Sequence, residues 1–241
     1  MRLVVCLPTY DERENLEPMA RALVEVFAEQ RLDGRVLVVD DASPDGTGEI
    51  ADRLAAELPA VDVLHRERKE GLGPAYVAGF ARALAAGAEL VVTMDCDFSH
   101  DPVDVPRLVA AAGETDVALG SRYVAGGEVR NWGPVRRVVS RAGCLYAQAV
   151  LGFGVRDSTS GFRCYRRQVL EAIRLERISA RGYAFQIETV YRALRSGFTV
   201  REVPIVFTDR AEGGSKMGPA IVVEAVVRVP ALRLAALRGR L

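Results

Sequence analysis

Leu90-Val91-Val92-Thr93-Met94-Asp95-Cys96-Asp97 carries a run of apolar and β-branched residues straight into two acids. The run is short, lacks helical spacing and reads as a buried strand. Its two carboxylates then leave the sheet together at the C-terminal end. In an open α/β sheet that is where ligands bind. Acids one residue apart can share a hard divalent cation, because Mg²⁺ commonly takes one or two carboxylates and fills its remaining sites with water and substrate phosphate. Two readings stand: a solvated acidic turn ahead of Pro102, or a clamp on a metal-bound nucleotide diphosphate.

The same strand-and-turn logic repeats on either side. Residues 3–7, 36–39, 61–64 and 117–119 are further apolar runs. Between them apolar residues recur at helical spacing: Leu16, Met19, Ala20, Leu23 and Phe27; then Ile50, Leu54 and Leu58; then Tyr76, Val77, Phe80 and Leu84. This β-α-β-α alternation predicts an α/β, Rossmann-like, mostly parallel sheet flanked by helices on both faces. Beyond Gly120, residues 123–134 read as a Gly-rich polar loop, 136–151 and 185–194 as helices, and 200–207 as a late strand. No repeat, low-complexity tract or linker interrupts the chain. A single domain over residues 1–216 is expected, with 217–241 a basic amphipathic tail that belongs to it or makes a contact elsewhere.

Composition narrows the function. The 241 residues are 49% hydrophobic and 27% charged with zero net charge, so nothing global points to nucleic acid. Cys6, Cys96, Cys144 and Cys164 form no Cys-x-x-Cys, and there are only two histidines, which argues against zinc. No disulfide framework is evident, so a reducing, cytoplasmic compartment is expected. Residues 3–7 are too short and too closely followed by charge for a signal peptide. No apolar stretch approaches the ~20 residues that a membrane span needs. The tail holds Ile221, Val222, Val223, Val226, Val227, Val229, Leu232, Leu234 and Leu237, interrupted by Arg228, Arg233, Arg238 and Arg240, with no acid after Glu224. That composition suits an interfacial helix on anionic lipid or a face for a partner. It equally suits a helix packed on the domain with its arginines in water. Pro230 is expected to break or kink any helix there.

Two more predicted strand ends carry polar groups. The first leads into Pro8-Thr9-Tyr10-Asp11-Glu12, with Asn15 beyond; the second into Asp40-Asp41-Ala42-Ser43-Pro44-Asp45-Gly46-Thr47. Tyr10 can stack on a base and Asp41 can accept from a base or ribose. Each alone also fits plain turn and cap chemistry. Late in the chain, Asp209-Arg210-Ala211-Glu212-Gly213-Gly214-Ser215-Lys216 places Arg and Lys around two glycines, which suits closure over a diphosphate or an ordinary surface loop. Arg122, and the cluster of Arg130, Arg136, Arg137 and Arg141 around Ser140, can hold a second, phosphate-bearing substrate or simply form a solvated face.

Taken together, the motifs resemble the family 2 inverting glycosyltransferases of the GT-A fold, and within them the polyprenol-phosphate (dolichol-phosphate) mannose synthases. The matching segments include Pro8-Thr9-Tyr10-Asp11-Glu12, Val39-Asp40-Asp41-Ala42-Ser43-Pro44-Asp45-Gly46-Thr47, Asp95-Cys96-Asp97-Phe98-Ser99-His100-Asp101-Pro102 and Gly120-Ser121-Arg122-Tyr123. They continue with Asp157-Ser158-Thr159-Ser160-Gly161-Phe162-Arg163, Gly182-Tyr183-Ala184-Phe185-Gln186-Ile187-Glu188 and Gly214-Ser215-Lys216, so the resemblance covers residues 3–216.

The resemblance implies GDP-mannose as donor and a polyprenyl monophosphate as acceptor. It implies donor contacts from Pro8, Tyr10, Glu12, Val39, Asp41 and Cys96. Asp95 and Asp97 would hold Mg²⁺ or Mn²⁺, with Ser99 where the family often supplies a further ligand, and Arg210 and Lys216 would act with Asp97 on the diphosphate. Arg122, Arg137 and Ser140 would take the acceptor phosphate. It implies an enzyme peripheral on the cytoplasmic face of a membrane, alone or with a separate membrane-embedded subunit. A UDP-sugar-dependent relative and a non-catalytic nucleotide-binding subunit are the alternatives.

Overall fold

Alternation along the first strand, β1 (Leu3–Thr9), explains how the molecule is layered. Leu3, Val5 and Leu7 point to one face and Val4 and Cys6 to the other, each into its own apolar cluster. The computed structural model describes residues 2–178, 180, 182, 184–209, 219–239 and 241, without the side chains of 219–223. Arg210 and Lys216 lie outside these residues.

Helices α1 (Arg13–Glu29), α2 (Thr47–Glu57) and α4 (Val105–Ala112) cover the first face. Leu16, Met19, Leu23, Phe27, Leu54 and Leu108 pack there. Helices α3 (Leu72–Ala85), α6 (Arg167–Ala172) and α7 (Ala184–Arg195) cover the second, with Tyr76, Phe80, Val169, Leu170 and Phe185. Between them β2 (Gly34–Asp40), β3 (Val61–His65), β4 (Leu90–Thr93), β5 (Val117–Ser121), β7 (Arg163–Arg166) and β8 (Val200–Pro204) join β1 in one sheet. Its order is β3-β2-β1-β4-β7-β5-β8, parallel except for β7. The expected mostly parallel sheet with helices on both faces is what the chain forms. The order places β2, β1 and β4 side by side, so the acid-bearing turns after them share one edge.

Four local readings are corrected. Strand β7, Arg-Cys-Tyr-Arg, has no apolar run to announce it, yet it bonds on both sides to β4 and β5. The expected loop at 123–134 contains a short strand, β6 (Glu128–Arg130). The late strand is two: Pro204 closes β8, and β9 (Val206–Thr208) turns away to pair with β6. Proline has no N–H to continue a ladder, which is why strands end there.

The fourth correction concerns the tail. Helix α8 (Pro219–Leu237) runs through Pro230 instead of ending at it. An interior proline removes one helical hydrogen bond, that of the carbonyl four residues back. Here that carbonyl is Val226, and the Tyr146 hydroxyl of α5 (Pro134–Leu151) donates to it at 2.9 Å. Val229, Leu232 and Ala236 are buried against Ala147 and Leu151 of α5 and Ile187 and Tyr191 of α7. So α8 packs on the body of the protein. Among the described residues no helix is long and apolar enough to cross a membrane.

Candidate active site

The turns after β1, β2 and β4 each hold one non-glycine residue in the left-handed region: Asp11 (φ 54°), Ala42 (φ 58°) and Phe98 (φ 57°). Such backbone costs about 1–3 kcal/mol per residue and gathers at ligand sites. The turns are braced against one another. Asp45 Oδ1 accepts from the Thr47 hydroxyl at 2.6 Å, and its Oδ2 accepts from the Arg13 amide at 3.1 Å, tying the start of α2 to the start of α1. The Glu12 amide donates to Thr47 Oγ1 at 3.1 Å, and Glu12 Oε2 accepts from Asn15 at 2.8 Å. Burial pushes the Asp45 carboxyl up, but hydrogen bonds from Thr47 and Arg13 outweigh it and hold the group below the usual range.

On the nucleotide side, the structure adds two cations that the sequence alone did not single out. Arg66 is paired with Asp41, which also accepts from the Glu70 amide at 3.3 Å. The Lys69 ammonium sits 3.4 Å above the centre of the Tyr10 ring. Not every expected contact offers a side chain. Val39 is buried and faces the core, where a Cβ on Gly79 would meet its methyl at 3.1 Å, so only its backbone reaches the edge. Cys96 is likewise part of the core beside Met94.

Asp95 is about a third exposed, while Asp97 is buried at 6%. Ser99 donates to Asp97 Oδ1 twice, through its hydroxyl at 2.5 Å and its amide at 3.1 Å. Its hydroxyl therefore aims the carboxylate. Among the described residues no third His, Cys, Asp or Glu joins the pair. Two carboxylates on one tight turn fit a hard cation whose shell is completed by water and phosphate oxygens. His100 lies under them: its Nδ1 accepts from the Asp95 amide at 3.3 Å. Burial drives its pKa down to about 4 despite the nearby Asp97, so the ring is neutral with its proton on Nε2, which has no partner.

From His100 a ring path leads to a basic pocket. His100 packs on Phe207 (5.2 Å), and Phe207 on Trp132 (5.3 Å). Arg122 lies 5.3 Å from the rings of Tyr123, Trp132 and Phe207. It is held by the wholly buried Asp157 through Nε at 2.7 Å and a second nitrogen at 2.6 Å, with Thr159 at 2.9 Å. Burial alone would lower the guanidinium pKa; the Asp157 charge reverses that and keeps it protonated. Arg136 turns inward onto the Trp132 face (4.3 Å) and pairs with Asp209 at 2.7 Å. Arg137 turns outward, exposed, and donates to the Val129 carbonyl at 3.0 Å. Ser140 accepts from the Tyr123 hydroxyl at 2.7 Å, and Arg122 lies 5.3 Å from the Tyr123 ring, so the two are linked through Tyr123. Buried Trp132 Nε1 and Arg136 Nε are donors without an acceptor. Neither Trp132 nor Asp157 carried a role in the sequence reading; the Asp157-to-Arg163 motif was the available signal.

A family model described as glycosyl transferase family 2 matches residues 4–174. The undecaprenyl-phosphate mannosyltransferase of Micrococcus luteus is 47% identical over 245 residues, covering 100% of this chain and 99% of that protein. The polyprenol monophosphomannose synthase of Mycolicibacterium smegmatis is 47% identical over 242 residues, covering 100% and 89%. Among solved structures, glucosyl-3-phosphoglycerate synthase from Mycobacterium tuberculosis, in complex with Mn²⁺, UDP and glucosyl-3-phosphoglycerate, superposes with a TM-score of 0.62 at 22% identity, covering 99% of this chain and 79% of that one. At that identity the likeness speaks for the fold.

Proposed function

This chain belongs to glycosyl transferase family 2, and on that footing we propose that it transfers mannose from GDP-mannose to a polyprenyl monophosphate, inverting the anomeric centre and releasing GDP. One observation carries the reading: the acid pair Asp95/Asp97 and the donor-rich pocket of Arg122, Trp132 and Arg136 are joined through the rings of His100 and Phe207. An electropositive receptor for a phosphate thus stands beside a seat for a diphosphate. The names of the two curated relatives support the mannosyl group and the lipid phosphate. GDP as the nucleotide is our inference.

The roles follow from chemistry. Tyr10, Glu12, Asp41 and the backbone around Pro8, Val39 and Cys96 hold the nucleoside. Mg²⁺ or Mn²⁺ held by Asp95 and Asp97 would supply positive charge to the departing diphosphate. Arg210 and Lys216 add further charge. Arg122, Ser140 and the inward-turned Arg136 orient the acceptor phosphate, with Arg137 at the rim. A phosphate monoester has its second pKa near ~6 and is already a strong anion at neutral pH, so no protein base is needed. One phosphate oxygen forms the bond to the anomeric carbon as the bond to the GDP oxygen breaks, and that electron pair leaves with GDP.

The lipid implies a membrane surface. Along α5, Val135, Val138, Val139, Ala142, Leu145 and Ala149 are all exposed and fall on one stripe, flanked by Arg137 and Arg141. An apolar stripe edged with arginine, turned to solvent, suits anionic lipid or a membrane-embedded subunit. We place the enzyme peripherally on the cytoplasmic face.

The test is transfer from radiolabelled GDP-mannose to a short polyprenyl phosphate by purified protein with Mg²⁺ or Mn²⁺. Lipid-linked mannose is expected, none from Asp97→Ala at an unchanged melting temperature, and none of the corresponding product from UDP-glucose. Activity with UDP-glucose alone would overturn the donor assignment. Near-normal transfer by Asp97→Ala would overturn the cation site.

A further inference from the structure

We propose that the side-chain amide of Gln186, facing Asp95 across the bare Cα of Gly161, reads the hydroxyl groups of the donor's hexose. The inference rests on the sugar-nucleotide reading above and deepens it, by assigning a residue to the selection of the sugar.

Gln186 lies in the first turn of α7 and is 1% exposed. Neither Oε1 nor Nε2 of its amide has a hydrogen-bond partner. Leaving a buried polar group unmade costs about 1–3 kcal/mol, and an apolar side chain of the same length would incur none of it. The backbone of Gln186 is used: its carbonyl accepts from Arg163 at 2.6 Å. Only the side chain waits.

What it faces is a gap with one charged wall. A Cβ on Gly161 would sit 3.5 Å from Gln186 Nε2 and 3.6 and 3.7 Å from the two carboxylate oxygens of Asp95. Gly161 is not in the left-handed region, so its backbone does not require glycine there. The missing side chain leaves room between an amide and a carboxylate. The backbone around the gap is fixed. Thr93 Oγ1 donates to the Gly161 carbonyl at 2.6 Å. The wholly buried Arg163 gathers the carbonyls of Ser158 (2.8 Å), Ser160 (2.9 Å) and Gln186 around one guanidinium. Two more buried hydroxyls of this region, Ser158 Oγ and Tyr76 Oη, also lack partners, and Tyr76 stacks on Phe185, the residue before Gln186.

The chemistry selects the ligand class. A carboxamide offers a donor and an acceptor side by side, and a carboxylate only acceptors. Neighbouring hydroxyls of a pyranose, each donor and acceptor at once, satisfy both walls. Gln186 cannot take a proton, so it is a specificity-determining residue and not a base.

The experiment compares affinity for GDP-mannose with affinity for GDP alone, by calorimetry with Mn²⁺ on the full chain. Gln186→Met keeps the length and removes the amide. Gly161→Ala keeps the amide and fills the gap with a methyl at ordinary contact distance, so it serves even if the first variant fails to fold. In both, GDP affinity should stay within about two-fold of wild type, while the preference for GDP-mannose over GDP falls roughly ten-fold or more, the scale of one lost hydrogen bond to a sugar. A merely structural amide would move both ligands together. An unchanged preference in Gly161→Ala, as expected if the gap holds only ordered water, overturns the proposal. If wild type uses UDP-glucose in place of GDP-mannose, the donor assignment fails, and the same ratio, read for UDP-glucose against UDP, decides the role of Gln186.

Discussion

Asp157 shows how one side chain can fix the position of another. It is wholly buried and grips Arg122 through two nitrogens, while its own backbone amide is held by Glu202 at 2.9 Å. Removing one partner of a buried pair leaves the other charge without compensation, which costs about 3–5 kcal/mol. Asp157→Ala is therefore expected to lower unfolding free energy by about that amount in urea melts, and to weaken use of the acceptor. A loss under ~1 kcal/mol would mean that Arg122 finds water or another acceptor. Residues of this kind define what the sequence could not disclose. Asp95 and Asp97 were legible because a strand delivers them. Asp41 was legible as an acid at a strand end, but its partner Arg66 was not, because the pairing comes from the next crossover. Gln186 stood inside the matching segment 182–188 but had no role of its own there, since an amide at a helix start reads as ordinary until the vacancy at Gly161 is seen.

At the scale of elements, the exchange between α5 and α8 is the least predictable from sequence. Pro230 reads as a break or a kink because the chain cannot show that Tyr146, far upstream, will donate to the carbonyl it frees. Tyr146→Phe should cost about 1 kcal/mol. In a Pro230→Ala background the helix regains its own bond, and the same change should cost little. Equal losses in both backgrounds, measured as a double-mutant cycle, would remove the compensation argument. The strands divide in the same way: β1, β2 and β4 are apolar runs and were plain, whereas β7 is a polar segment stabilised by neighbours on both edges. Helix α5 was legible as a helix, but not that its apolar stripe faces outward. Val135→Asp with Val138→Asp should weaken sedimentation with anionic vesicles roughly ten-fold or more while leaving GDP affinity unchanged. Unaltered vesicle binding would move the docking face elsewhere.

Across the whole molecule, the packing keeps every thiol away from solvent. All four cysteines are free and buried. Burial pushes the thiols of Cys6 and Cys164 up to about 12, and that of Cys144 upward as well. The thiolate is the reactive form. At pH 8 a thiol reagent is therefore expected to label none of the four cysteines in the native protein and all of them in denaturant. A thiol that reacts in the native state faster than global unfolding would show that the packing around it opens locally.

The antiparallel β7 has a consequence for how this protein is made. On one edge β4 pairs with β1, but on the other its neighbour is β7, with Thr93 opposite Arg163, and among the described residues β5 pairs with β7 and β8, both of which come later in the chain. During translation the first four strands and three helices can assemble alone, but the outer edge of β4 stays bare until β7 emerges. At ~5–20 residues per second that interval lasts several seconds. An open edge is a template for pairing with another chain. The nascent polypeptide is therefore most prone to aggregation midway through synthesis, when chaperones at the ribosome exit would matter most.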